Sequence, residues 1–229
     1  MEAKGIYKGL QKGRNDKMKK TIYKSNGIKA ATPADVLDME DVKKLKKYFL
    51  SLNLEKPNNL RNFTLFVFNL NIGLRAKDLL SLPKDLIIQN DKVVDIFAIR
   101  ESKTGKKRII ELNNSAKAVI QKYYDSFYDK LKDSYYLFPS RKKNQGEGHL
   151  TLSAYDKILR EAKEKSEVSN VYTVSSHTAR KCLGTALYNQ GVPIQQIQMM
   201  FGHNKPETTM IYISALKQKS QKLYHQVEF

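Results

Sequence analysis

Apolar positions in this chain recur mainly at three- and four-residue intervals, the spacing of helices that bury one face. Beyond Asp38, the residues Val42, Leu45 and Phe49 form such a stripe, and Asp38 stands where a side-chain N-cap belongs. A second helix is expected over about 59–72, rich in Phe63, Leu65, Phe66, Val67 and Phe68. Its apolar residues run round most of the circumference, so it reads as buried on most sides, and Gly73 offers a left-handed C-cap. Residues 75–82 make a short helix stopped by Pro83.

The period then changes. Residues 93–100 are rich in β-favouring side chains, 108–112 answer them, and Thr104-Gly105 supplies the turn of a hairpin. Helices resume over 115–128, 151–163 and 177–189. Gly191 stops the last, and Pro193 opens a further one over 193–200. A short helix over 206–212 and a tail helix complete the chain. The class is mostly α with a small antiparallel sheet, an α+β arrangement.

Residues 1–35 follow neither period. Lys4, Lys8, Lys12, Arg14, Lys17, Lys19, Lys20, Lys24 and Lys29 are interleaved with glycines and few apolar residues. This reads as a basic N-terminal arm or remnant linker. Residues 36–229 then form a single domain, and no internal repeat is evident.

Charge adds a partner to this picture. Among 229 residues, 41 Lys and Arg face 23 Asp and Glu, a formal net charge of +18. Such an excess on a folded chain suits a polyanion, because each cation placed on a phosphate releases counterions from nucleic acid. Cys182 is the sole cysteine, which rules out an internal disulfide, fits a reducing compartment and reads as packing. The basic N-terminus lacks the apolar core of a secretory signal, roughly 7–15 residues. No apolar run approaches the roughly 20 residues that span a bilayer. The expectation is a cytoplasmic protein with no membrane partner.

Five short stretches carry candidate chemistry: Gly73-Leu74-Arg75 with Asp78, Lys103-Thr104-Gly105-Lys106, His177-Thr178-Ala179-Arg180, Phe201-Gly202-His203, and Tyr212. Arginine forks can each meet two phosphate oxygens and never lose their charge. Two of them oppose the extra negative charge of a pentacoordinate phosphorus. The three-residue spacing of His177 and Arg180 puts both on one helical face. Lysine and histidine can move protons, and tyrosine can supply an oxygen nucleophile. Lys106 and Lys107 rival Lys103 on the same turn. The histidines lack metal-ligand spacing, and the Gly105 turn lacks the pattern of a phosphate-cradling loop, so neither metal nor cofactor is expected.

Taken in order, Arg, Lys, His-x-x-Arg, Gly-His and Tyr resemble the tyrosine recombinases, the phage integrase family, over nearly all of residues 38–220. The resemblance implies that Arg75 and Arg180 are the two catalytic arginines and Lys103 the hairpin lysine that protonates the leaving 5′ oxygen. It implies His177 for proton transfer, His203 beside the phosphate, Tyr212 as nucleophile, and Asp78 as the acid supporting Arg75. Lys106, Lys107, Arg108 and Lys181 become candidate DNA contacts. Ala179 and Phe201 stand where the family usually has leucine; both remain apolar packing positions.

The family usually carries a separate core-binding domain, and 35 residues are too few to form one. The chain is therefore expected to be a catalytic domain alone, like the short fimbrial-switch recombinases, or a remnant of a longer integrase. The implied partners are double-stranded DNA, further copies of the chain as a tetramer on DNA, and accessory DNA-bending proteins. The implied setting is the nucleoid of a bacterial or phage-derived system. Two alternatives share the constellation: a topoisomerase-like nicking-relaxing enzyme and a non-cutting DNA-binding accessory. A basic ribosomal or RNA-binding domain would leave five ordered motifs unexplained.

Overall fold

Asp38 caps the first helix as its position suggests, its Oδ1 accepting the Asp41 N–H at 2.8 Å. That helix, α1 (Met39–Ser51), buries Val42, Leu45 and Phe49. The computed structural model describes residues 36–140, 148–169, 173–204 and 206–213. The basic arm and the expected tail helix lie outside the described residues.

The centre of the fold is α2 (Pro57–Ile72), which packs against α1, α5 (Asn114–Ser126) and α8 (Thr178–Asn189). Neighbours on three sides explain why Phe63, Leu65, Phe66, Val67 and Phe68 are all buried rather than arranged as one stripe. It ends at Gly73, whose φ of 57° is left-handed and whose N–H bonds Asn69 O. Two short helices follow, α3 (Ala76–Leu80) and α4 (Lys84–Ile87).

The β region holds the expected antiparallel pair and a second, smaller hairpin before it. Asn90 and Asp91 both have positive φ, 49° and 59°, and fold β1 (Ile88–Gln89) onto β2 (Lys92–Val93). Two consecutive left-handed residues suit the twist of a tight hairpin, and Asn and Asp tolerate that region. The strand expected from residue 93 therefore starts only at Ile96. It is β3 (Ile96–Arg100), antiparallel to β4 (Lys107–Glu111) with Phe97 opposite Ile110, both buried.

Beyond the sheet, Asn113 caps α5 through the Ala116 N–H at 2.9 Å. Phe127 (φ −133°, ψ 28°) breaks the helix expected to reach 128, leaving the single turn α6 (Tyr128–Leu131). Thr151 caps α7 (Leu152–Lys165). Then come α8, α9 (Ile194–Met200) and α10 (Pro206–Tyr212). Ile197, Phe201 and Ile213 form a second small core, with Leu183 and Leu187 packed against it. Among the described residues, no helix is long and apolar enough to cross a membrane.

The two cores meet where glycines permit close approach. A Cβ on Gly73 would lie 2.7 Å from Leu183 Cδ2 and 3.0 Å from the Phe201 ring. One on Gly184 would lie 2.8 Å from the opposite edge of that ring. Phe201 thus fills a slot that only two missing side chains leave open.

Candidate active site

Arg180 is 0% exposed, the largest fully buried side chain described. It rises from the first turn of α8 and is held from three directions. Nη1 donates to Gly73 O at 2.7 Å, Nη2 donates to Phe201 O at 2.7 Å, and the guanidinium stacks 4.3 Å over the Phe201 ring. Both carbonyls belong to chain ends left open by helices, Gly73 after α2 and Phe201 after α9, so the arginine closes two helix termini at once.

Nη2 also approaches His203 Nε2 at 3.3 Å, and His203 Nδ1 lies 2.9 Å from Thr209 Oγ1. A guanidinium can only donate, so Nε2 accepts and the imidazole proton rests on Nδ1, facing Thr209. Burial, then the charges of Arg180 and Arg75, depress the His203 pKa from 6.5 to about 4, so the ring is neutral near pH 7. Because the folded pKa lies below the unfolded one, His203 stabilises the fold above about pH 6.5. That contribution is lost as the pH falls toward 4. Urea midpoints measured from pH 7 to 4.5 should fall more steeply for the parent than for His203→Gln; equal slopes would place the titration elsewhere.

His177 lies just outside α8 as its N-cap residue. The turn before it is pinned by Ser176 N–H donating to Asp156 Oδ1 at 2.7 Å and by Ser175 N–H donating to Thr178 Oγ1 at 3.0 Å. As a residue His177 is exposed, with its imidazole partly shielded, whereas Arg180 is enclosed. Burial lowers the His177 pKa; Asp156 opposes this, while Arg180, Lys181 and Lys103 reinforce it.

Arg75 is the N-cap residue of α3. Its ion pair is with Glu101, Nη1 to Oε2 at 2.6 Å, rather than with Asp78 as the i, i+3 spacing suggested. Asp78 is buried and accepts the Ser102 N–H at 2.9 Å, holding the β3–β4 turn next to Lys103. Glu101 is the residue that motif reading missed. Its only signal in the sequence is an acid among the basic residues at the turn end of the hairpin, Arg100, Lys103, Lys106, Lys107 and Arg108. Burial would raise its pKa, but Arg75, the Thr104 hydroxyl and the Arg180 charge together hold it below the usual range.

The three lysines of the turn part company. Lys106 Nζ donates to Asn204 Oδ1 at 2.5 Å, tying the hairpin to the segment after His203. Lys103 is exposed, has no hydrogen-bond or ion-pair partner among the described residues, and its charge acts on both His177 and His203. Lys107 is exposed on β4.

The other two candidate DNA contacts are largely enclosed. Arg108 donates to Ile72 O at 2.7 Å and Gly73 O at 3.4 Å, and burial, partly offset by Glu101, lowers its pKa to about 10. Lys181 is 7% exposed. Tyr212 ends α10, a helix joined to His203 through Thr209. Arg75, Lys103, His177, Arg180 and His203, from four separate segments, thus border one region.

The phage integrase family model matches residues 35–219. The chain belongs to that family. The probable integrase/recombinase YoeC of Bacillus subtilis (strain 168) is 32% identical over 78% of this chain and 87% of its own length. The tyrosine recombinase XerD of Rhizobium meliloti (strain 1021) is 27% identical over 83% of this chain and 60% of its own length. Among solved structures, the XerH site-specific recombinase bound to palindromic difH substrate, a post-cleavage complex, has a TM-score of 0.67 at 18% identity. That match covers 90% of this chain and 57% of XerH. The chain therefore spans about three fifths of XerD and XerH. The mostly helical fold with small antiparallel hairpins is that of the phage integrase catalytic domain.

Two contacts in this phage integrase relative go beyond the packing roles its motifs implied. The Phe201 ring, in place of the usual leucine, provides the face on which Arg180 stacks. Gly184, one turn beyond Arg180, makes room for that ring.

Proposed function

We propose that this chain is the catalytic domain of a site-specific DNA recombinase, of integrase or invertase type. It cuts and rejoins double-stranded DNA through a 3′-phosphotyrosyl link, using neither metal nor ATP. The observation that carries this reading is the gathering of two arginines, two histidines and a lysine around one region, beside the helix that ends in Tyr212.

In this reading Tyr212 attacks the scissile phosphorus and its proton passes to His177, directly or through water. The depressed pKa of His177 leaves the imidazole neutral and able to accept. Free tyrosine titrates near pH 10, so the arginines also favour the phenolate. Arg75 and Arg180 bear on the nonbridging oxygens, with His203 beside them. Lys103 delivers a proton to the leaving 5′ oxygen. The phosphotyrosyl ester keeps the energy of the broken bond, and a 5′ hydroxyl from a second duplex reverses the step. Exposed Lys107, with Lys106, offers phosphate contacts, whereas Arg108 ties the hairpin to the end of α2. Copies of the chain would assemble on DNA, with accessory DNA-bending proteins where the site requires them.

A nicked suicide substrate carrying the cognate site should trap a protein–DNA band on a denaturing gel. No band would remove the cutting function and leave a DNA-binding accessory. Relaxation of supercoils on unrelated sequences, without site preference, would replace the recombinase by a nicking-relaxing enzyme.

A further inference from the structure

Glu101 is a buried carboxylate, 1% exposed, set among Arg75, Arg108 and the turn that carries Lys103. It follows β3 at the foot of the turn carrying Lys103, and three parts of the site meet on it. Oε2 pairs with Arg75 Nη1 at 2.6 Å and accepts the Thr104 hydroxyl at 2.9 Å. Oε1 faces Arg108 Nη1 at 3.9 Å. On a further side a Cβ at Gly202 would lie 2.7 Å from Oε2, so the backbone leading into His203 packs directly on the carboxylate. The backbone of Glu101 closes the same turn, its N–H donating to Lys106 O at 2.9 Å and its carbonyl accepting the Gly105 N–H at 2.8 Å.

We propose that Glu101 is a positioning residue, locking Arg75 and the Lys103 turn into one arrangement about the phosphate. The proposal rests on the reading of Arg75 and Lys103 given above. A carboxylate here has the wrong sign for binding an anion, and burying it is costly unless it is paired. Its contribution is therefore geometric. By holding one nitrogen of Arg75 it fixes the plane of the fork while other N–H groups stay available. By holding Thr104 it restrains the residue next to Lys103, whose ammonium must come within hydrogen-bond reach of a single bridging oxygen. Gly202 has no side chain in the only direction the carboxylate occupies, which keeps the His203 segment in the same unit.

The sign of two effects separates this role from its rivals. Glu101→Gln keeps the shape, removes a negative charge near the phosphate and weakens both ties. In the full chain, DNA affinity should hold or rise. Single-turnover cleavage should fall by about 10- to 100-fold, the range for a displacement of about 1 Å. Thr104→Val leaves the Arg75 pair intact and cuts the tie of Glu101 to the turn, together with the weaker Lys106 N–H to Thr104 Oγ1 bond at 3.4 Å. It should slow cleavage with affinity unchanged, and a substrate with sulfur at the bridging 5′ position should restore most of the rate, since a thiolate leaves without a proton. That substrate should restore Glu101→Gln only in part, because Arg75 stays loosened.

Cleavage rising together with affinity in Glu101→Gln would make the carboxylate a charge brake and overturn the proposal. Parallel loss of affinity, cleavage and melting temperature would make it merely structural. Thr104→Val cleaving at the parental rate would sink the tie to Lys103. A parent that never forms the covalent adduct fails the recombinase reading itself, and this proposal with it.

Discussion

Tyr212→Phe should bind DNA as the parent does and form no covalent adduct. The substitution removes one phenol oxygen and nothing else, so the helix and the surface around it keep their shape. The placement of α10 supports Tyr212 over the other tyrosines. Thr209, on the same helix, meets His203 Nδ1 at 2.9 Å, and Ile213, the next residue after Tyr212, is buried with Ile197 and Phe201. A helix held at its middle and just beyond its end keeps its last residue near the region bordered by Arg180 and His203. Suicide substrates resolved on denaturing gels, with affinity measured in parallel, check this. A band that persists in the variant moves the nucleophile elsewhere, with Tyr224 the next candidate.

Lys103→Ala should slow cleavage by roughly 10²–10⁴-fold, the range of general acid catalysis, with little change in affinity. Only one exposed charge of many is lost, so counterion release is nearly unaltered. The structure sharpens the choice among the three lysines of the turn. Lys106 is engaged with Asn204 across the site, whereas Lys103 has no such partner among the described residues and acts on both histidines. A bridging 5′ sulfur should restore most of the Lys103→Ala rate. Arg75→Ala and Arg180→Ala should not be restored in this way, because they lose charge stabilisation rather than a proton donor. Rescue of Lys106→Ala or Lys107→Ala but not of Lys103→Ala would place the acid further along the hairpin.

Much of the helical framework was legible because its signals are local. Asp38 and Thr151 accept the N–H groups three residues on, Gly73 adopts the left-handed turn after α2, and Pro193 precedes α9. Where boundaries moved, a local conformation was the cause: Asn90-Asp91 folding back as a second small hairpin, and Phe127 breaking α5. The residues proposed for the site, Arg75, Lys103, His177, Arg180, His203 and Tyr212, could be picked out in order, because few residue types suit the phosphoryl chemistry proposed for them.

The partners of those residues could not be. Helical spacing offered Asp78 to Arg75, yet the pairing of β3 with β4 delivers Glu101 there and leaves Asp78 to hold Ser102. Arg108 read as a surface cation, but it stands opposite Ile99 in the ladder and reaches the carbonyls at the end of α2. Phe201 read as packing in place of leucine, and only its position between Gly73 and Gly184 makes it the surface on which Arg180 stacks. Sequence by itself determined the local backbone and the chemistry each side chain can offer, since caps, turns and protonation depend on near neighbours. Tertiary structure alone decided which buried charge meets which, because a low-dielectric interior obliges every such group to find a partner among whatever segments the two cores bring together.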